Sequence, residues 1–447
     1  MYRLIDYHLK HWIKDPYRKP LLLRGARQVG KTHAIRALSR HFSDFVEINF
    51  ELLPRAKEIF EQDLQPERII KSLSLLVGKS ITPNKTLLFL DEIQEAPLAI
   101  TALRYFYEKL PSLHVIAAGS LLDFSLESIS VPVGRISFFY MHPMSFMEFL
   151  KAIKQNLLIQ EILNHKSHEP ILEPVHDKLI EFLGVYMAIG GMPEVVKRWI
   201  ETQNMSDCTN IQYSLIDTYR QDFQKYSKQS QYKYLNLLIE QIPLNLGKSI
   251  KYTNFSKEYR KRELEPCLDL LIKANLVHKI SNSLGQGIPL GAQASSDKFK
   301  IIFLDVALTQ VILGVNNKEW VLEPHQEFIN KGALTEAMIG QELLAYSNPH
   351  ITPQLYYWQR DAPSSTAEVD YLMQQDQFII PIETKSGYGS TLKSLRLFLQ
   401  THPQSPYGIR FSTHNYSEFD HIHSYPLYAV AGIFGEDREA LLSLVDE

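Results

Sequence analysis

The sequence predicts a multidomain α/β protein, with an α/β phosphate-binding domain at the N-terminus, a helical middle and a second α/β domain at the C-terminus. Three observations predict this fold class. A glycine-rich loop joins an apolar strand to a helix near residues 21–42, amphipathic helices fill residues 177–230, and the pattern after residue 330 is helix, three strands, helix and two strands. We place the domains at residues 1–152, 176–320 and 331–447. A chain of 447 residues is long enough for about two to four domains.

Composition limits the classes of function. The formal net charge of -3 gives no global basic field, so nucleic-acid binding would need a local patch. Cys208 and Cys267 lie far apart and lack metal-ligand spacing, which favours structural thiols in a reducing compartment. The N-terminus lacks the apolar core of a signal peptide, and no apolar run is long enough to cross a bilayer. We therefore expect a soluble cytoplasmic protein with no membrane partner.

A phosphate-binding loop, or P-loop, is the clearest motif. A short apolar strand at 21–23 precedes it, and a helix over 33–42 follows it. In this setting the loop N–H groups and the helix N-terminus attract an anion. We expect Lys31 to reach the β- and γ-phosphates of a nucleotide and Thr32 to ligate Mg²⁺, the alternative being a chance glycine turn. The motif consists of Gly25, Ala26, Arg27, Gln28, Val29, Gly30, Lys31 and Thr32.

Two acids at the end of an apolar run support the same site. Residues 86–90 predict a central parallel strand, and ligands bind at the carboxyl ends of such strands. We expect Asp91 to hold the magnesium shell and Glu92 to orient and deprotonate the attacking water. Taken alone, the pair would be a solvated acidic turn. Next to the glycine loop, it predicts a nucleoside-triphosphate hydrolase.

Further polar residues fall near neighbouring strands. Ser120 follows a strand at 114–118, where it would sense the γ-phosphate or position the water; alone it would be a turn residue. Arg135 belongs to a fifth candidate strand, and it would stabilise γ-phosphate charge in its own or a neighbouring subunit, unless it forms a surface salt bridge. Ser145 and Glu148 have the spacing of a capping box that opens a helix.

The middle of the chain predicts a helical segment followed by a winged helix-turn-helix over 231–285. Residues 190–194 form a glycine-containing helix break, and no chemistry is assigned to them or to Tyr219 and Arg220. A basic patch precedes the third helix of the winged fold, at the end that meets a DNA major groove. DNA contact by this patch is one hypothesis, and a solvated turn in a protein-docking module is the other. The patch consists of Lys257, Arg260, Lys261 and Arg262.

The C-terminal region predicts a candidate metal site. Asp370 lies on one strand of a hairpin, and Glu383 and Lys385 project from one face of the next strand. Two carboxylates can hold Mg²⁺ against a phosphate while a lysine activates water, and Glu336 on the preceding helix could add an acid. This arrangement resembles the PD-(D/E)xK nuclease fold, although Val369 replaces the usual proline and Glu368 is a competing acid. Such sites can cleave DNA or be retained for binding only. Strands are predicted at 407–412 and 427–430.

Taken together, these motifs resemble a prokaryotic family of predicted AAA+-type ATPases with a nuclease-like C-terminal domain of unknown function. The resemblance covers essentially the whole chain. The resemblance implies ATP as the nucleotide and possible homo-oligomers in which a subunit supplies an arginine to its neighbour. From the motifs themselves we expect Mg²⁺ as a second cofactor and DNA as a partner, and a protein partner is unknown. The leading hypothesis is a DNA-directed ATPase. The alternative is a nucleotide-gated switch or protein-docking ATPase whose nuclease-like domain is catalytically silent.

Overall fold

Two β-sheets, connected by helices, organise the chain. The structure is a computed structural model that describes residues 1–447 except 121–133, 166–167, 227–228, 316, 362–365, 386–390, 435–437 and 447. The first sheet is parallel, with the strand order β2-β3-β4-β1-β5. Its strands match the sequence prediction closely, and they are β1 (Leu21–Arg24), β2 (Asp44–Asn49), β3 (Thr86–Asp91), β4 (His114–Ala118) and β5 (Ser137–Tyr140).

Burial explains why these segments become central strands. Every residue of β3 and β4 is buried, as expected for parallel strands that helices cover on both faces. Asp91 on β3 stands level with Ala118 on β4, and Ala118 stands level with Leu23 on β1. The carboxyl ends of the three strands therefore meet at one edge of the sheet, beside the glycine loop.

One helix of the N-terminal region begins at a cap that the sequence predicts. The predicted capping box at Ser145 is confirmed: Ser145 N donates to Glu148 Oε2 at 2.8 Å, and Glu148 N donates to Ser145 Oγ at 3.3 Å. The helices of this region are α1 (Leu4–Lys14), α2 (Lys31–Leu38), α3 (Ala56–Gln62), α4 (Pro66–Val77), α5 (Pro97–Lys109), α6 (Phe146–Ala152) and α7 (Asn156–Asn164).

The middle of the chain is helical, as predicted. Its helices are α8 (Glu173–Ile189), α9 (Pro193–Thr202), α10 (Met205–Tyr226), α11 (Gln229–Gln241), α12 (Tyr252–Phe255) and α13 (Lys261–Lys273). The break between α8 and α9 bends the chain by 120°. Gly191 is required there because a Cβ atom would lie 2.1 Å from the carbonyl oxygen of Met144. In the described part of the chain, no single helix has the length and apolarity to cross a bilayer, and only the bent α8–α9 pair passes on these criteria.

The second sheet is mixed and has the order β12-β13-β11-β10-β9-β8-β6-β7. Its strands are β6 (Val277–Ser283), β7 (Ala294–Phe303), β8 (Leu355–Gln359), β9 (Glu368–Gln375), β10 (Phe378–Thr384), β11 (Gly408–Ser412), β12 (Ser417–Phe419) and β13 (Ile422–Pro426). The predicted wing begins with β6, which does not stand apart. β6 pairs in parallel with β8, which satisfies the backbone groups of an otherwise open edge, so the sheet crosses the boundary predicted between 320 and 331.

One predicted strand is wrong. Residues 427–430 belong to a 3-10 helical segment, Leu427–Ile433, and the strand is β13 instead. The four residues are all buried, and a short apolar run cannot by periodicity alone be assigned to strand or helix. The remaining helices are α14 (Val306–Ile312), α15 (Glu319–Leu322), α16 (Pro324–Asn330), α17 (Gly332–Ala345), α18 (Lys393–Thr401) and α19 (Arg438–Asp446).

A buried carboxylate on α17 connects the regions. Glu342 accepts hydrogen bonds from Phe146 N at 3.0 Å, Tyr186 Oη at 2.9 Å and Tyr346 Oη at 2.7 Å. Phe146 begins α6 and Tyr186 lies on α8, so one side chain joins the N-terminal, middle and C-terminal regions. Burial raises the pKa of Glu342 to about 7, against the lowering effect of these donors.

Candidate functional site

The glycine loop has the shape of a phosphate cradle. Gly25 (φ 139°) and Gly30 (φ 103°) adopt positive φ values that favour glycine. A Cβ atom on Gly25 would lie 2.2 Å from the carbonyl oxygen of Met141, so only glycine fits there. Gly30 is the N-cap of α2, which begins at Lys31. The loop therefore ends at the N-terminus of α2, where free N–H groups and the helix dipole favour an anion.

Lys31 lies inside this loop. Its Nζ donates to the carbonyl oxygens of Gly25 at 2.9 Å and Ala26 at 2.8 Å. Burial lowers the pKa of Lys31 to about 8, although Glu92 and Asp91 attract its charged form. The ammonium is thus held at the centre of the cradle, close to the two acids.

Thr32 and Asp91 meet at the mouth of the cradle. Thr32 Oγ1 is 3.4 Å from Asp91 Oδ1 and 3.3 Å from Asp91 Oδ2. Asn49, at the end of β2, donates to Asp91 Oδ2 at 3.1 Å, a contact that the sequence did not reveal. Burial and the neighbouring Glu92 raise the pKa of Asp91 to about 6. A hydroxyl and a poorly solvated carboxylate are oxygen ligands that suit Mg²⁺.

Glu92 and Ser120 lie at the same edge of the sheet. Glu92 adopts a left-handed backbone conformation (φ 51°), and its Oε2 accepts a hydrogen bond from Gln94 Nε2 at 2.6 Å. Strained backbone of this kind is common at functional sites. Ser120 is buried and lies two residues beyond Ala118, the register partner of Asp91. The structure therefore brings both predicted residues to the strand ends that surround the loop.

Arg135 does not reach this site within one chain. It precedes β5, whose first residue, Ser137, is level with Leu21 at the start of β1. The glycine loop follows the other end of β1, so Arg135 lies at the opposite edge of the sheet. Its Nε is 3.1 Å from Glu108 Oε1, and both side chains are partly exposed. This is the surface salt bridge that the sequence suggests as the alternative to a role at the γ-phosphate.

Arg3 supports the loop from the N-terminal end of the chain, and sequence patterns did not reveal this role. Its guanidinium donates at 2.8 Å to three acceptors, namely Val29 O in the loop, His142 O and Glu148 Oε1. Arg3 is buried, as is Glu148. An arginine just before an amphipathic helix forms no recognisable sequence motif. Two of its partners, His142 and Glu148, lie more than a hundred residues away in the sequence, and the third, Val29, belongs to the loop.

Helix α10 supports the other side of the loop. Tyr219 Oη donates to Arg27 O at 2.9 Å, and the guanidinium of Arg27 forms an ion pair with Asp222. Burial raises the pKa of Asp222, although Arg27 opposes this effect. The unassigned Tyr219-Arg220 motif thus lies on the helix that contacts the phosphate-binding loop. This contact places the helical middle region directly beside the candidate nucleotide site.

The C-terminal acids come together as the sequence predicts. Tyr371 on β9 pairs with Ile382 on β10 in this antiparallel pair of strands. The next position in the register joins Asp370 and Glu383, so these two acids face each other. Asp370 Oδ2 accepts a hydrogen bond from Thr384 N at 2.7 Å. Lys385 Nζ lies 2.8 Å from Glu383 Oε1, whereas Glu383 Oε2 is buried and has no hydrogen-bond partner among the described residues.

Lys300 on β7 is an unexpected member of this cluster. Its Nζ lies 2.9 Å from Glu336 Oε1 and 2.5 Å from Glu368 Oε1. Burial lowers the pKa of Lys300, but the attraction of Glu336, Asp370 and Glu368 outweighs it, so the pKa lies above its ordinary value. Burial also raises the pKa of Glu336 and of Glu383. Lys300 lies outside the D…ExK spacing, so the motif could not reveal it.

The basic patch is exposed, and part of its charge is balanced. Arg260 caps α13, and its backbone N–H donates to Glu263 Oε2 at 2.9 Å. Lys261 Nζ lies 3.3 Å from Glu265 Oε1 and 3.5 Å from Asp297 Oδ1. All four predicted residues are exposed: Lys257, Arg260, Lys261 and Arg262.

Three protein-family models match this chain. Residues 17–150 match an AAA domain, residues 180–319 match a domain of unknown function (DUF8612), and residues 331–430 match another domain of unknown function (DUF4143). The N-terminal region is an AAA-type ATPase domain. This AAA-type domain contains the glycine loop, Asp91, Glu92 and Ser120. The DUF4143 domain contains Asp370, Glu383 and Lys385, whereas Lys300 belongs to the DUF8612 match.

Individual relatives are distant. An uncharacterized protein of Methanocaldococcus jannaschii is 24% identical over 206 residues, which are 43% of this chain and 42% of that protein. The match therefore spans less than half of that curated relative. A Walker-type ATPase of Pyrococcus abyssi is 15% identical, with a TM-score of 0.43, over 69% of this chain and 94% of that chain. The Hsp104–ADP complex of Saccharomyces cerevisiae is 14% identical, with a TM-score of 0.27, over 76% and 43%. At these identities and TM-scores, no property of either solved structure is assigned to this chain.

Proposed function

We propose that the AAA-type domain binds Mg-ATP and hydrolyses it at the glycine loop. The observation that carries this proposal is the convergence of Lys31, Thr32 and Asp91 at one edge of the parallel sheet. Loop N–H groups and Lys31 would hold the phosphates. Thr32 Oγ1 and an Asp91 oxygen would hold Mg²⁺, which supplies Lewis-acid stabilisation of charge on the phosphates. The choice of ATP rests on the family resemblance.

Hydrolysis needs a base and an oriented water near the γ-phosphate. Glu92 follows Asp91 directly, and Gln94 fixes one of its carboxylate oxygens. Glu92 is therefore the candidate base, with Ser120 as a second polar contact at the same edge. Because Arg135 lies at the opposite edge of the sheet, it could contact a nucleotide only in a neighbouring subunit, which would require a homo-oligomer.

Two variants test this proposal separately for binding and chemistry. We expect Lys31→Ala to lose ATP binding in calorimetry, because the phosphates lose their only loop ammonium. Glu92→Gln keeps the shape of the side chain, so we expect it to bind ATP with unchanged affinity and to lose at least a hundredfold in turnover. Exposed Lys14→Ala on α1 is the control. ATP binding by Lys31→Ala as tight as that of the parent would contradict the proposal.

Bound nucleotide would act directly on the contact between the glycine loop and α10. Arg27 lies within the loop, and Asp222 and Tyr219 hold it from α10. The phosphates and Asp222 are both anionic partners for Arg27, so bound nucleotide would compete with this ion pair. This contact is the simplest route by which the loop would influence the helical middle region.

We propose a DNA-directed role for the C-terminal region. The facing pair Asp370 and Glu383, with an unsatisfied buried oxygen on Glu383 and Lys385 beside it, has the donors that a Mg²⁺ site needs. The exposed basic patch at the start of α13 would contact DNA phosphates. The silent alternative draws support from Lys300, which already neutralises part of the acidic cluster.

Cleavage assays distinguish these two roles. If the site is active, Asp370→Ala should abolish Mg²⁺- or Mn²⁺-dependent DNA cleavage and leave ATP turnover unchanged. If the domain is silent, the parent protein cleaves no DNA with either metal. DNA affinity that falls steeply with salt, and that Arg260→Glu weakens, would support a binding role for the basic patch.

A further inference from the structure

Lys300 is a buried cation among acids of the C-terminal cluster. Its side chain is 0% exposed, and its Nζ lies 2.9 Å from Glu336 Oε1, 2.5 Å from Glu368 Oε1 and 4.0 Å from Asp370 Oδ1. These contacts occupy one side of the cluster. On the other side, Glu383 Oε2 has no hydrogen-bond partner in the described part of the chain. The two sides of the cluster are therefore not equivalent.

We propose that Lys300 is an internal counter-ion that competes with a divalent cation for Glu336 and Asp370 and thereby weakens metal binding by this cluster. The inference rests on the metal site proposed at Asp370 and Glu383. A cation bound to Glu336 Oε1 at about 2.1 Å would lie within about 5 Å of Lys300 Nζ. Two positive charges at that separation in a buried site repel each other strongly.

The charge balance leads to the same conclusion. With all four of its carboxylates ionised, the cluster and its two ammonium groups carry two net negative charges, which one divalent cation balances. Without Lys300 the same cluster would carry three net negative charges. Lys300 therefore disfavours a cation on the Glu336 side of the cluster.

The test must separate charge competition from simple misfolding. Removing Lys300 alone leaves buried carboxylates without a counter-ion, which is destabilising. The informative comparison is therefore Glu368→Gln against the double variant Lys300→Met with Glu368→Gln, because the second change is then made with one carboxylate already neutralised. Lys300→Gln with Glu368→Gln replaces the double variant if the methionine version does not fold.

Mn²⁺ binding to the full chain is the measurement. Free Mn²⁺ is followed by electron paramagnetic resonance without nucleotide, and every variant also carries Asp91→Asn so that the N-terminal site does not contribute. We expect the double variant to bind Mn²⁺ at least tenfold more tightly than Glu368→Gln. The control is Lys298→Met with Glu368→Gln, because Lys298 is an exposed lysine on the same strand, 3.1 Å from Asp361. This control should leave the affinity unchanged.

The outcomes separate the two proposals. Equal or weaker binding by the double variant, with clear binding by Glu368→Gln, would overturn the role of Lys300 and leave the metal site intact. No Mn²⁺ binding by any variant would overturn both the metal site and the role of Lys300. Tighter binding that Asp370→Asn abolishes would support both.

Discussion

At the residue scale, single side chains fix the glycine loop in place. Arg3 is the clearest case, because its guanidinium joins Val29 O, His142 O and Glu148 Oε1 while it remains buried. A planar guanidinium can satisfy three such acceptors in different directions, and an ammonium cannot reproduce that geometry. Arg3 therefore acts as a positioning residue for the loop and has no contact of its own with the predicted base.

Removing Arg3 should weaken both the fold and nucleotide binding. We expect Arg3→Met to destabilise the protein by about 3–5 kcal/mol, because the buried Glu148 loses its charged partner. Arg3→Lys should keep the charge but lose hydrogen bonds, and it should lower ATP affinity about tenfold. Chemical unfolding and calorimetry provide the two measurements.

The exposed Lys14→Met, on the helix that Arg3 precedes, is the control for both Arg3 variants. A normal unfolding midpoint and normal ATP affinity in Arg3→Lys would mean that the loop keeps its shape without this side chain.

At the element scale, α10 is attached to the loop by Tyr219 and Asp222. This attachment gives a physical role to a motif that has none in the sequence alone. It also brings a negative charge next to a site that is built to attract phosphates. The helix therefore both supports the loop and opposes part of its positive field.

Neutralising Asp222 should strengthen nucleotide binding. Asp222→Asn removes one negative charge beside the loop and leaves Arg27 with its longer contact to Glu51, 3.9 Å away, so we expect ATP affinity to rise by roughly 1 kcal/mol, or about fivefold. Calorimetric titration with ATP provides the measurement. Asp217→Asn, an exposed acid on the same helix, is the control and should change the affinity little. Weaker binding by Asp222→Asn would mean that the ion pair mainly shapes the loop.

Local patterns predicted the elements that depend on local interactions. The strands of the first sheet and the Ser145–Glu148 capping box are confirmed, because buried apolar runs and cap spacing lie within a few residues. The strand predicted at 427–430 is wrong, and the predicted wing is a part of the second sheet. Lys300 could not be found from the sequence, because its acids lie on another helix and strand and no spacing rule joins them to β7.

At the scale of the whole molecule, Glu342 is a shared hydrogen-bond acceptor for three regions. Its pKa is raised to about 7 by burial, whereas an unfolded chain would have the ordinary value near 4.5. Between pH 4.5 and about pH 7, Glu342 therefore stays protonated in the folded state and is ionised in the unfolded state. The stabilisation is complete below pH 4.5 and is lost as the pH rises through about 7.

Glu342→Gln should remove this pH dependence in a measurable way. Glutamine is neutral at every pH, so we expect the stability of the variant relative to the parent to rise by about 3 kcal/mol between pH 4.5 and pH 8. Urea unfolding at both pH values provides the measurement, and the exposed Glu67→Gln is the control. A constant difference across this range would mean that Glu342 is ionised throughout.

The salt bridges of Lys300 connect two segments that match different family models. The lysine lies in the segment matched by DUF8612, whereas Glu336 and Glu368 lie in the one matched by DUF4143. Shuffling a C-terminal segment in from a homologue would therefore place foreign acids opposite a resident lysine. Chimeras that exchange β7 and α17 as one unit should be tolerated better than chimeras joined between them.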